Sequence, residues 1–158
     1  MIGFFIVNET PNMSTMLIEA AELQALIEQS KPKAARPSDI IIVDLGKEER
    51  YLSSHIPGAV LITPAETQAG PPTPGFAPSD ENLTRIMQRI GLTKDSCVIV
   101  YDDEGGGWAG RFIWLLDEIG HSNYRYLNGG IHAWSAEGYP LDEGSVTNIA
   151  SDIQVRTS

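Results

Sequence analysis

The stretch Val98-Ile-Val-Tyr-Asp-Asp-Glu-Gly-Gly-Gly-Trp-Ala-Gly-Arg111 constrains the fold more than any other part of the chain. An apolar, β-branched run stops at Tyr101, three glycines follow, and an apolar helical period starts at Trp108. A strand feeding a helix through so short a loop is the building unit of α/β proteins. In them, loop amides and the helix N-terminus converge on whatever sits at the C-terminal end of the strand. Here that place holds Asp102, Asp103 and Glu104, with no thiol or hydroxyl among them.

The rest of the chain repeats the alternation. Leu17-Ile18 reads as a short strand, and Glu19 to Ile27 as an amphipathic helix with Leu23, Leu26 and Ile27 inward. Lys31 to Pro37 is a basic loop. Ile40 to Leu45 is an uninterrupted apolar run, the mark of a strand covered on both faces. A short helix from Lys47 to Leu52, a turn at His55-Ile-Pro-Gly-Ala59 and a strand at Val60 to Ile62 come next. Residues 63–79 are rich in proline and glycine and read as a long irregular excursion, neither helix nor strand.

Asp80 is expected to cap a helix with Leu83, Ile86, Met87 and Ile90 on one side, closed by Gly91. Cys97 to Tyr101 is a buried strand, Trp108 to Ile119 a helix, Tyr124 to Leu127 a strand and Ile131 to Glu137 a helix. The expectation is one α/β domain over residues 14–142, with a mostly parallel sheet wrapped by helices. Residues 1–13 read as a variable leader, and residues 143–158 as a polar tail or linker.

Charge and cysteine content narrow the function. The 158 residues carry a net charge of −10, which opposes phosphate backbones and anionic membranes, so neither nucleic acid nor membrane is an expected partner. A single cysteine, Cys97, excludes an intrachain disulfide. Three scattered histidines, His55, His121 and His132, leave no metal or cofactor site expected. The apolar start lacks the basic flank and length of a signal peptide, and no run approaches the ~20 apolar residues of a membrane span. One unpaired cysteine suits a reducing cytosol, so a cytoplasmic location is expected.

Gly105 to Gly110 formally matches G-x-G-x-x-G, the dinucleotide fingerprint. The three acids at its entrance would repel a pyrophosphate, and the strand after its helix ends at Asn128 rather than at an acid suited to a ribose. That reading is rejected. The glycines still supply backbone that curls its amides inward. Gly105, Gly106, Gly107 and Arg111 therefore form a small-anion cradle, or else Arg111 pairs with Asp102, Asp103 or Glu104 and closes a structural turn. Cys97, at the start of a buried strand, reads as a small hydrophobe rather than a nucleophile. His55 reads as a turn-stabilising hydrogen bonder. Trp108, Trp114 and Trp134 read as packing, with Trp108 at the rim of the loop.

Val43-Asp44, Tyr51, His55-Ile-Pro-Gly-Ala59, Val98 to Tyr101 and Leu127-Asn-Gly-Gly-Ile-His-Ala-Trp134 together resemble the rhodanese (thiosulfate sulfurtransferase) family, from about Leu17 to Leu141. The resemblance implies a three-layer fold, a five-stranded parallel sheet with helices on both faces. It also implies that an active member carries a persulfide on a cysteine directly after the central strand, where this chain has Asp102. Gly46 replaces an arginine usual in the family, so a structural ion pair is expected to be absent.

Asp102-Asp-Glu-Gly-Gly-Gly-Trp-Ala-Gly-Arg111 with the preceding excursion is similar to the first, catalytically silent domain of bacterial tandem rhodaneses. This closer resemblance implies a structural or docking module whose partner is a Cys-bearing rhodanese domain, in cis or in trans. Thiosulfate-type anions would bind it weakly if at all. The alternatives are a self-sufficient sulfurtransferase or sulfur carrier using Cys97, and an anion sensor using Gly105 to Gly107.

Overall fold

The computed structural model describes residues 16–30, 40–70 and 75–157; the expected leader and the basic loop at 31–37 lie outside them. Five strands form one sheet: β1 (Leu17–Ile18), β2 (Ile40–Asp44), β3 (Val60–Leu61), β4 (Cys97–Tyr101) and β5 (Tyr124–Leu127). Their order is β1-β5-β4-β2-β3, and every pairing is parallel. Parallel neighbours need crossovers, and helices supply them: α1 (Ala20–Ser30), α2 (Glu48–Ser53), α3 (Asp80–Ile90), α4 (Gly107–Glu118) and α5 (Gly130–Ala136).

The apolar runs of β2 and β4 are explained by what covers them. Ile41 and Val43 pair with Val98 and Val100 and face α3 and α4, among Leu83, Met87, Phe112, Leu115 and Leu116. Ile42 and Ile99, one residue out of phase, face the other layer with Leu23, Tyr51, Leu127 and Trp134. Side chains alternate across a strand, so a strand sandwiched between two helical layers must be apolar at every position. The expected α/β architecture is the observed one.

Three details differ from expectation. Ser79, not Asp80, caps α3: its hydroxyl accepts from the Asn82 amide at 3.1 Å, and Asp80 is the first helical residue. Serine holds the extended backbone of a cap, which frees Asp80 to face the helix's positive end. The excursion is not wholly irregular, because Pro64–Thr67 forms a 3₁₀ turn. Proline presets φ for its first position, and Glu66 reaches back to the amide and hydroxyl of Thr63 at 2.8 and 3.0 Å.

The third difference lies at the C-terminal edge of β2. Gly46 stands where the resemblance implies an arginine, yet an ion pair exists, because Arg50 on α2 fills the space. Arg50 donates to Asp44 at 2.5 Å, to Asp103 at 3.2 Å and to the Ser54 carbonyl at 2.8 Å. A Cβ at Gly46 would run into the Arg50 guanidinium, so the small residue and the displaced arginine belong together.

Tyr101 completes this edge by donating to Asp44 at 2.6 Å. Burial drives the Asp44 carboxyl above its ordinary value, while Arg50 and Tyr101 pull it back. The segment after Asp142, read from the sequence as a tail or linker, lies along the domain. The Gly144 amide donates to the Leu52 carbonyl, Val146 to the Tyr51 hydroxyl, Ser151 to the Gln88 carbonyl and Val155 to the Thr84 hydroxyl. Val146, Ile153 and Val155 pack on the core layer beneath α3 and α4.

The edge and the turn can each be tested. A folded-state value raised for Asp44 means the native chain holds that proton more tightly than the unfolded one, so its ionisation costs more as pH rises. Arg50→Met is expected to lose about 3–5 kcal/mol at pH 7, by urea unfolding, and distinctly less in the acid range where Asp44 takes up a proton. An equal loss at both would exclude an ionised Asp44.

Glu66 has the opposite sign. Burial pushes it up, but Arg89, 2.8 Å away, and the Thr63 donors outweigh burial and hold it below 4.5. Its contribution is therefore present above that value and fades as pH falls through the lower, folded one. Stability curves for the native chain and Glu66→Gln should differ at neutral pH and converge in acid.

Candidate functional site

β4 delivers the chain to the loop Asp102–Gly106, and α4 begins at Gly107. Asp102 is 1% exposed, so its carboxylate does not stand at the loop mouth as the sequence suggested. It turns inward. Oδ1 accepts from the amides of Glu104 at 3.1 Å and Gly106 at 2.9 Å, and Oδ2 accepts from the Ala109 amide at 2.9 Å. The first amides of a helix lack intrahelical partners and carry the positive end of its dipole. Asp102 supplies the anion they face, from within the chain.

The loop's glycines serve this arrangement. Gly106 adopts φ +101°, and a Cβ there would press on the Tyr126 hydroxyl at 2.8 Å. Gly130, at φ +58°, lets the turn after β5 approach the Asp102 carbonyl so closely that a Cβ would overlap it. Ile131 donates its amide to that carbonyl at 3.3 Å, and the His132 ring lies 3.0 Å from the Asp103 carbonyl. Burial, then the nearby Asp102 charge, push the Tyr126 phenol up.

The other expected site residues divide. Asp103 is tied to Arg50, while Glu104, Gly105 and Gly107 are exposed. Trp108 is half-buried and packs on the core layer under α3 and α4. Arg111 takes neither expected role: it joins no acid of the loop and faces no cradle. Its guanidinium donates to the Thr67 and Phe76 carbonyls at 3.1 and 2.9 Å and lies over Trp114 at 4.7 Å. Helical side chains lean toward the helix N-terminus, and the excursion's Thr67 and Phe76 carbonyls are what the Arg111 guanidinium reaches.

Of the expected cradle's amides, Asp102 takes that of Gly106, together with those of Glu104 before it and Ala109 after it. Cys97 lies at the opposite end of β4, five residues and roughly 16 Å of strand away from Asp102. It is half-buried, and burial pushes its thiol up against the opposing pull of Arg125.

Sequence reading missed Arg50 and Gly130. The signal for Arg50 was its four-residue offset from Gly46, one helical turn, which only matters once α2 is placed over the sheet edge. Surface cavities of about 170, 320 and 490 Å³ are lined by residues outside the Asp102–Gly107 loop. Among the described residues no group of three His, Cys, Asp or Glu side chains is placed to hold a metal, and no helix is long and apolar enough to cross a membrane.

Comparison with known proteins agrees with this geometry. The rhodanese-like domain model matches residues 19–137. The thiosulfate sulfurtransferase of Azotobacter vinelandii is 50% identical over 127 residues, covering 80% of this chain and 44% of that protein. The thiosulfate sulfurtransferase of Pseudomonas aeruginosa is 48% identical over 125 residues, covering 77% and 46%. The chain thus spans less than half the length of these curated relatives. Among solved structures, the 3-mercaptopyruvate sulfotransferase SseA of Escherichia coli superposes with a TM-score of 0.73 at 25% identity, over 90% of this chain and 56% of that one. A parallel sheet in this order, an amide loop closing after β4 and a sequence half identical to thiosulfate sulfurtransferases place this chain in the rhodanese-like family.

Proposed function

We propose that this chain is the catalytically silent rhodanese half of a thiosulfate:cyanide sulfurtransferase, a structural and docking module that completes the active cleft of a Cys-bearing rhodanese domain in cis or in trans. The observation that carries the proposal is the inward Asp102 carboxylate, held by three loop amides where the resemblance puts a persulfide cysteine. Sulfur transfer from thiosulfate needs a thiolate that attacks the sulfane sulfur while sulfite leaves. A carboxylate forms no such persulfide, and its charge repels a second anion at those amides. Relatives twice the matched length supply room for a second domain. The lone, unpaired cysteine supports a reducing, cytoplasmic setting in a bacterial cell.

Two alternatives lose ground on physical argument. Cys97 as the working thiol would need a lowered pKa and access, whereas burial raises its value. Anion sensing by Gly105 to Gly107 would need a loop that welcomes negative charge, whereas Asp102 takes the Gly106 amide and sets its own carboxylate beside the other two.

A cyanide assay on the purified chain should give no thiocyanate from thiosulfate, and intact mass after thiosulfate treatment should show no added sulfur on Cys97. Steady turnover, or a persulfide increment, would overturn the proposal. Asp102→Ala should lower stability by about 2–4 kcal/mol in urea unfolding, because one buried and two part-buried N–H groups lose a charged acceptor. An unchanged midpoint would mean the carboxylate does not organise the loop.

A further inference from the structure

His55 ends the turn after α2 with its ring fully buried and stacked on Tyr51, centroids 4.3 Å apart and planes 13° from parallel. Both ring nitrogens face main-chain carbonyls: Nδ1 is 2.8 Å from the Ile56 oxygen and Nε2 is 2.7 Å from the Gly144 oxygen. A carbonyl oxygen only accepts. A neutral imidazole carries one N–H, so it satisfies one of these oxygens and turns a lone pair on the other. The imidazolium donates to both, and the Tyr51 ring face beneath it suits a cation.

The two carbonyls are not equally free to leave. Ile56 is the next residue in the chain, and its oxygen also accepts from the Ala59 amide at 3.0 Å. Gly144 belongs to the tail, 89 residues away in sequence. We infer that His55 is a proton-operated latch on the tail: the doubly protonated ring holds Gly144 against α2, and loss of one proton releases that carbonyl.

Ionisable groups flank His55 on both elements. On the tail, Asp142 is bridged to the His55 backbone through both its amide and carbonyl, Glu143 is next in the chain, and both are exposed acids. On α2, Glu48 and Glu49 are exposed acids and Tyr51 is the stacking partner. Arg50 is engaged by Asp44 and Asp103, and the Tyr101 hydroxyl accepts from the Ile56 amide at 3.1 Å. The latch would govern how freely the segment after Asp142 leaves the domain; that it then leads to a second domain rests on the proposed function, but the latch itself does not.

Two measurements on the full chain test it across about pH 5.5 to 8.5, the range in which imidazoles titrate. Nitrogen NMR of His55 should show both ring nitrogens protonated while the tail is docked. Amide exchange, corrected for its intrinsic pH dependence, should show the Gly144 and Val146 amides losing protection about tenfold as the ring deprotonates, with β4 amides unchanged. His55→Gln, whose amide hydrogen-bonds but does not titrate, should abolish that pH dependence. A neutral single tautomer with the tail fully protected, or protection independent of pH in the native chain, would overturn the inference. Should His55→Gln fail to fold, the ring-nitrogen measurement on the native chain decides alone.

Discussion

The carboxylate of Asp102 inside its own loop is the contact on which the rest of the edge is arranged. A strand–loop–helix unit presents several main-chain N–H groups to one point, and burying them unsatisfied would cost on the order of 1–3 kcal/mol apiece. Asp102 answers three of them and is itself sealed by the turn that carries Gly130. A loop shaped to present amides to an anion thus contains its anion covalently. That is why the glycines, the close approach of β5 and the start of α4 fit together without a bound ligand.

The same edge manages a surplus of acid. Asp44, Asp102 and Asp103 lie at the ends of neighbouring strands, and only Arg50 answers two of them directly. The three solutions differ physically: amides for Asp102, a guanidinium and a phenol for Asp44, and a half-exposed guanidinium contact for Asp103. Arg111, nine residues after Asp102, pins the excursion to α4. The cationic role that the loop's own residues suggested for Arg111 is therefore turned outward, into structure.

The tail links this edge to the opposite layer. From Asp142 it runs along α2 and then α3, using main-chain bonds to hydroxyls and carbonyls rather than a strand pairing, and it buries Val146, Ile153 and Val155 against the core. Gly91 leaves the room for this path, since a Cβ there would meet the Ile149 carbonyl at 2.7 Å. A polar sequence without regular period can still be well fixed when its bonds are spread along two helices of the domain.

Local periodicity wrote much of the fold into the chain: the strands at Ile40 and Cys97, the apolar face of α3, the glycine-bounded helices and hence the parallel α/β sheet. Those signals are short-range, because a doubly covered strand and an amphipathic helix must carry their burial in consecutive residues. The partner each charge took was legible only in three dimensions. Asp102 and Arg111 are nine residues apart, close enough to suggest a pair, yet one faces the loop amides and the other residues 67 and 76. Arg50 met Asp103 across 53 residues and His55 met Gly144 across 89. Pairings at such separations depend on how the crossovers stack over the sheet edge, and no window of sequence contains that geometry.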